Sequence, residues 1–319
     1  MMTTEPKRRP RVHRTPLRRI LLSVGGAVIL LVAMAAGYDT YASRRAPEWY
    51  PASGGFVLVG GRQMHYLCQG SGEPTLVLEA GFGGGALDWS PVIPLLSATN
   101  RVCAFDRFGQ DYGAPAPHPR RFSTAADELH TALETLGIQK PVVVGHSLGG
   151  ALVQIYAARY DVSGVILVEG LTTADVDSVV KRLGSYQSLN FLARLGLLRP
   201  LGSLFTNHSY AASVRDQMVA LRSGARALLA LSDEGAIAEA TAGADLRAAE
   251  PQVTAPMLLI GAEKSDVPGL PSGEFAASLE ALAGRKPGST FVRIAGAGHY
   301  VQADHPAEVA AAIESWLKR

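Results

Sequence analysis

The fold is decided at Val142-Val143-Val144-Gly145-His146-Ser147-Leu148-Gly149-Gly150. Three β-branched residues read as a short apolar strand, and residues 148–159 read as a helix. Between them stands Gly145-His146-Ser147-Leu148-Gly149, a G-x-S-x-G pattern. A turn sharp enough to lift a serine Oγ off the end of a strand crowds the backbone two residues to either side. Only a residue without Cβ fits there, which accounts for both glycines. The helix that follows aims its free N–H groups at the same point and favours negative charge there. Ser147 is therefore the first candidate nucleophile.

Working outward, segments of strand and helix character alternate. Residues 56–59 and 63–69 read as a hairpin turning at Gly60-Gly61, and 75–79 as a third strand that ends in the loop Ala80-Gly81-Phe82-Gly83-Gly84-Gly85. A short helix is expected over 91–97, with Pro91 near its first turn. A strand over 101–105 then leads into Asp106-Arg107-Phe108-Gly109. Thr124 is expected to cap a helix that runs to Leu136, with Gly137 past its end. Residues 164–168 make a sixth strand. Alternation resumes with a strand at 257–260, a helix at 274–283, a strand at 290–294 and a helix after Pro306. That last helix repeats Val309, Ala312, Ile313, Trp316 and Leu317 at helical spacing. The pattern predicts an α/β fold, a mostly parallel eight-stranded sheet with helices on both faces. Residues 171–255 interrupt it and read as an inserted helical cap.

At 319 residues and 47% hydrophobic, the chain is long enough for a large core. Its net charge of +2 hides an asymmetry. Residues 1–19 carry seven Lys/Arg against Glu5, a balance of +6, so the remainder is at −4. That mildly acidic body argues against nucleic acid as a partner. Residues 20–37 follow without a charge, a marginal length for crossing a bilayer. The expected order is a basic cytoplasmic tail at 1–19, a transmembrane signal-anchor at 20–37, a linker at 38–53 and a catalytic domain at 54–319 outside the membrane. The rival is a signal peptide cleaved at Ala33-Met34-Ala35, with secretion of the remainder. No polar stretch precedes that Ala-x-Ala, which favours the anchor.

Four features together resemble the α/β-hydrolase superfamily in its esterase- and lipase-like branch. They are the loop 81–85, Asp106-Arg107-x-Gly109, the G-x-S-x-G elbow, and Ala297-Gly298-His299 after the last strand. The resemblance covers roughly residues 54–318. It implies a serine hydrolase that cleaves carboxylic esters through an acyl-enzyme, with no cofactor or metal and a small-molecule ester as substrate. Ser147 is then the nucleophile and His299 the base, while the Phe82 and Leu148 N–H groups hold the oxyanion. For the acid, similar proteins place Asp about three residues past a Gly, where this chain has Lys264. Asp266 is the first candidate, with Glu169 at the end of strand six and Glu263 as alternatives. The superfamily's sheet order makes the strands of Cys68 and Cys103 neighbours, which implies a disulfide in an exported domain.

Other readings explain less. Gly81-Phe82-Gly83-Gly84-Gly85-Ala86 also fits a dinucleotide-binding outline, but the next helix starts too late for it, and it leaves Ser147 and His299 idle. The same catalytic residues serve amide, thioester or C–C hydrolysis and acyl transfer, and a non-catalytic ligand-binding member is the further alternative. Leu189, Phe191, Leu192, Leu195, Leu197, Leu198, Leu201, Leu204 and Phe205 stand either for a lipophilic substrate pocket or for the cap's own packing. Oligomeric state is not legible.

Overall fold

Strands that are apolar at every position, odd and even, need cover on both faces. The computed structural model, which describes residues 15–265, 267 and 273–319, supplies it. Strands β1 (Gly55–Val59), β2 (Arg62–Gln69), β3 (Leu76–Glu79), β4 (Val102–Asp106), β5 (Val142–His146), β6 (Gly164–Val168), β7 (Met257–Ala262) and β8 (Thr290–Ile294) form one sheet. Its order is β1-β2-β4-β3-β5-β6-β7-β8, with β2 antiparallel to both neighbours and the β4-to-β8 part parallel throughout. Register places Cys68 opposite Cys103, and the two form the disulfide that the resemblance implies.

The helices are α1 (Thr15–Trp49), α2 (Ile93–Leu96), α3 (Thr124–Thr135), α4 (Leu148–Ala157), α5 (Val176–Gly184), α6 (Asn190–Arg194), α7 (Ala212–Arg222), α8 (Ala225–Ile237), α9 (Gly243–Ala249), α10 (Glu274–Arg285), α11 (Val301–Asp304) and α12 (Pro306–Leu317). Strand alternation divides the core in two. Val77, Val143, Leu167 and Leu259 join Leu129, Leu152 and Leu279 of α3, α4 and α10 on one face. Leu78, Val144, Ile166 and Ile260 join Ile93 and Ile313 of α2 and α12 on the other. Each such side chain contributes about 1.5–3 kcal/mol by leaving water.

Several boundaries differ from the expectation. Thr124 is the first helical residue of α3 and Ser123 stands at its N-cap, without a side-chain cap bond. Strand β7 runs on to Ala262, paired with Ile294. The larger correction concerns residues 38–53. They were expected as a linker, but α1 continues through them to Trp49. Asp39, Ala42 and Ala46 recur on one helical face and are buried there. Asp39 accepts hydrogen bonds from Arg199 Nε (2.7 Å) and the Ala225 N–H (3.0 Å), while Arg199 also donates to Ser43 Oγ. The stretch looks like a linker because the partners of Asp39 and Ser43 lie in the distant cap.

Candidate active site

The loops that leave the C-terminal ends of β3, β5, β6 and β8 meet above the sheet, where open parallel sheets generally carry their sites. Ser147 joins β5 to α4 with φ +51° and ψ −121°, a conformation held only where the surroundings impose it. The flanking glycines are required by contact. A Cβ at Gly145 would press into the Gly149 carbonyl, and one at Gly149 into the carbonyls of Glu79 and Ala80. Ser147 and His299 line one cavity of about 350 Å³, together with Gly81, Phe82, His146 and Tyr186.

Among the described residues, the carboxylate within hydrogen-bond reach of the His299 ring directly follows β6. Glu169 follows Val168 with φ +46°, which is uncommon for a residue with a side chain. Its Oε2 lies 3.4 Å from His299 Nδ1 and accepts from Ser265 Oγ at 2.7 Å. Its Oε1 accepts from the Ala262 N–H at 2.7 Å. Glu169 is fully buried, and these donors satisfy its carboxylate oxygens there. Glu263, another sequence candidate, is exposed, and its carboxylate accepts from the Gly296 N–H. Asp266, the first candidate, lies outside the described residues.

His146 is drawn into the site from beneath. Its Nε2–H donates to the His299 carbonyl at 2.9 Å, and the two rings lie 4.8 Å apart. Burial, with the neighbouring His299, pushes the His146 pKa down to about 3, so its ring stays neutral. It thus fixes the loop of His299 as a hydrogen-bond donor rather than as a charge.

The glycine loop is braced by residues that the sequence did not single out. Arg107 donates from Nη1 to the Ala80 carbonyl and from Nη2 to the Gly81 carbonyl (2.7 and 2.8 Å). The same guanidinium pairs with Glu79 (3.1 Å) and with Glu234 of α8 (2.8 Å). Burial works against the Arg107 charge, but Glu234 and Glu79 outweigh it and raise its pKa. Burial pushes Glu79 up to about 7 despite Arg107. The other Glu234 oxygen accepts from the Gly83 N–H at 2.8 Å, while the Gly84 and Gly85 N–H groups bond to the Gly81 carbonyl and to Asp88. Among the described residues the Phe82 N–H has no such partner, and the Leu148 N–H is the first donor of α4. Phe82 lines the cavity, and Leu148 directly follows Ser147, which lines it too. Arg222 of α7 repeats the device by pairing with Asp88 and Asp111 (2.7 and 2.6 Å). Burial opposes the Asp88 charge, yet Arg222 and the Gly85 N–H hold its pKa below the usual value. Arg107 was visible only as part of a motif. Glu234 and Arg222 gave no signal, because cap charges carry no period.

Comparison with known proteins gives a consistent picture. The sequence profile of the alpha/beta hydrolase family matches residues 76–312. The chain is 42% identical over 92 residues to the "Putative carbamate hydrolase RutD" of Stutzerimonas stutzeri, covering 27% of this chain and 34% of that protein. It is 37% identical over 100 residues to the (lyso)-N-acylphosphatidylethanolamine lipase of Homo sapiens, covering 30% and 29%. The chain thus spans about a third of the length of these relatives. Among solved structures, the enol-lactonase of Burkholderia xenovorans LB400 superimposes with a TM-score of 0.63 at 21% identity, covering 83% of this chain and 100% of that one. A thermophilic esterase from Thermogutta terrifontis gives 0.63 at 22%, covering 84% and 98%. At that identity these two likenesses speak for the fold alone.

Proposed function

This chain belongs to the alpha/beta hydrolase family and its relatives are hydrolases; from that premise we propose that it is a serine hydrolase cleaving carboxylic esters through an acyl-enzyme. Ser147 attacks the ester carbonyl while His299 takes its proton and later returns it to the leaving alcohol. Glu169 holds the His299 ring in the productive tautomer. The Phe82 and Leu148 N–H groups receive the oxyanion, each donor being worth roughly 10²–10³ in rate. Water, activated by His299, then releases the acid.

The observation that carries this reading is that Ser147 and His299 line one cavity while Glu169 stands behind His299 at 3.4 Å. No resident cofactor is part of it. Hydrolysis of a p-nitrophenyl ester series of rising chain length, by wild type beside Ser147→Ala, tests it. Turnover lost in Ser147→Ala is expected; equal turnover in both would sink the reading.

We also propose that α1 anchors the chain with its N-terminus cytoplasmic and its catalytic domain outside. Support comes from an 18-residue stretch of mean hydropathy 2.4 within its residues Arg18–Trp49, from the cations at the N-terminal side of that stretch and from the disulfide. The helix packs on the cap at Ala35 as well as at Asp39 and Ala42, which favours an uncleaved anchor over a secreted form. Protease access to the catalytic domain in spheroplasts, with the tail protected, is the expected result; the opposite pattern would refute the orientation.

A further inference from the structure

The cap touches α1 at a height that has a consequence. Gly196, between α6 and the turn Arg199–Phe205, sits so close to α1 that a Cβ there would lie 2.6 Å from the Ala35 carbonyl. Ala35 belongs to the uncharged run 20–37. At the helical rise, Ala35 lies about 22 Å beyond Ile20, while a bilayer's hydrocarbon core is about 30 Å thick. The exposed Tyr38 and Tyr41 follow, as aromatic residues do where a helix leaves the lipid, and Arg44 and Arg45 come after them. The contact at Gly196 therefore falls on the lipid side of that aromatic pair.

The cap segment around Gly196 matches such a position. Phe191 is 70% exposed and Leu204 74%, and Leu192, Leu197 and Leu201 are exposed as well. Like Leu30, Leu31 and Met34 of α1, these side chains are left exposed among the described residues, and the close approach of Gly196 to Ala35 brings their segment beside that helix. Isolated exposed apolar residues need no explanation, but a cluster adjoining an anchor does. Arg199 and Asp39, a buried ion pair at 2.7 Å, fix this segment to the helix, so its depth is set by the anchor.

We infer that residues 189–204 of the cap form a second membrane contact, resting in the outer-leaflet interface against α1. This rests on the anchor and hydrolase readings above and names the substrate class they leave open, an ester with a long aliphatic chain drawn from the bilayer. A cavity of about 280 Å³, with Met218, Leu228 and Leu231 on one part of its wall and Arg222 with Asp88 and Asp111 on another, has Leu189, Leu198 and Gly202 of this segment in its wall as well. It shares Phe82, Tyr186, Asn207 and Tyr300 with the cavity of Ser147. An acyl chain entering beside the anchor lies in the first cavity while its carbonyl reaches the second.

The test places an environment-sensitive label on single cysteines of the full chain in phosphatidylcholine–phosphatidylglycerol vesicles containing doxyl lipids. The native cysteines are tied up with each other and take no label. The variants are Phe191→Cys, Leu204→Cys, Ile29→Cys in the anchor, and Asp161→Cys on a distant exposed loop. Quenching at 191 and 204 at least about twofold above that at 161 is expected for an interfacial surface. Quenching at 29 alone overturns the inference and leaves the anchor standing; quenching at none of the sites overturns both. A Phe191→Asp/Leu204→Asp chain should lose about tenfold in turnover of a vesicle-embedded long-chain ester, with p-nitrophenyl acetate turnover unchanged. Undiminished vesicle turnover overturns the inference. A wild type that cleaves neither ester refutes the hydrolase reading instead, and the quenching still decides the contact.

Discussion

Sheet and cap are held in place by different mixtures of forces. In the sheet, β3 to β7 are buried at every position, and specificity of packing comes from apolar alternation across two cores. In the cap, α6 and the turn after it leave large apolar side chains in the open. Val176, Val180 and Leu246 of the cap join the core beneath, and three guanidinium clusters add to that packing: Arg107 with Glu79 and Glu234, Arg222 with Asp88 and Asp111, and Arg199 with Asp39. The first two tie the cap to the core and the third ties it to α1. The proposed reactive groups thus stand at strand ends, whereas the cap is oriented also by directional, part-buried ion pairs. Such pairs fix register more than they add stability.

That contrast yields graded predictions. Glu169→Gln, on a strand end, should lower kcat by about 10⁴ with folding retained, as expected for an orienting carboxylate that leaves the wrong tautomer behind. Asp266→Asn should change kcat by less than about tenfold; the reverse ranking would move the acid to the loop after β7. Arg107→Met leaves the buried Glu79 and the part-buried Glu234 without their shared cation and should cost about 3–5 kcal/mol in urea unfolding. Leu259→Ala, in the sheet, should cost about 2–5 kcal/mol. Leu204→Ala, in the cap, should stay within about 0.5 kcal/mol in detergent. Equal losses at these last two positions would erase the distinction between the regions.

Smallest is a pH effect on stability. His65 donates to Asp106 and to the Ser53 carbonyl; burial opposes its charge, but Asp106 prevails and raises its pKa above 6.5. Its contribution is fully present below 6.5 and is lost as pH rises through the folded value. His146, held neutral with a pKa of about 3, acts in the opposite sense: its contribution is present above 6.5 and lost as pH falls from there. The stability difference between wild type and His65→Phe should therefore shrink between pH 6 and pH 9, measured by urea unfolding. A difference constant over that range would mean that His65 is not charged in the fold.

Legibility in the sequence follows the same divide. The strands, the elbow and the Cys68–Cys103 pair came from period, glycine placement and family order, because each is a local pattern or a register consequence of one. Residues 38–49 read as a linker in the sequence because the burial of Asp39 depends on cap residues about 160 positions away. Glu234 and Arg222 stayed invisible for the same reason: one buried charge in a helix signals nothing until its partner is in place. Glu169 was only an alternative, since a single carboxylate at a strand end carries no period. Its positive φ and its Ala262 and Ser265 donors appear only in three dimensions.

The most direct test of the account is intact-mass analysis of the full chain after reaction with a fluorophosphonate. Wild type, Ser147→Ala and His299→Ala would be compared, each shown to be folded by its unfolding curve. The account predicts one adduct on wild type, mapped to Ser147, none on Ser147→Ala, and labelling of His299→Ala slowed by orders of magnitude. A folded wild type that takes no adduct, or an adduct that persists in Ser147→Ala, would contradict it.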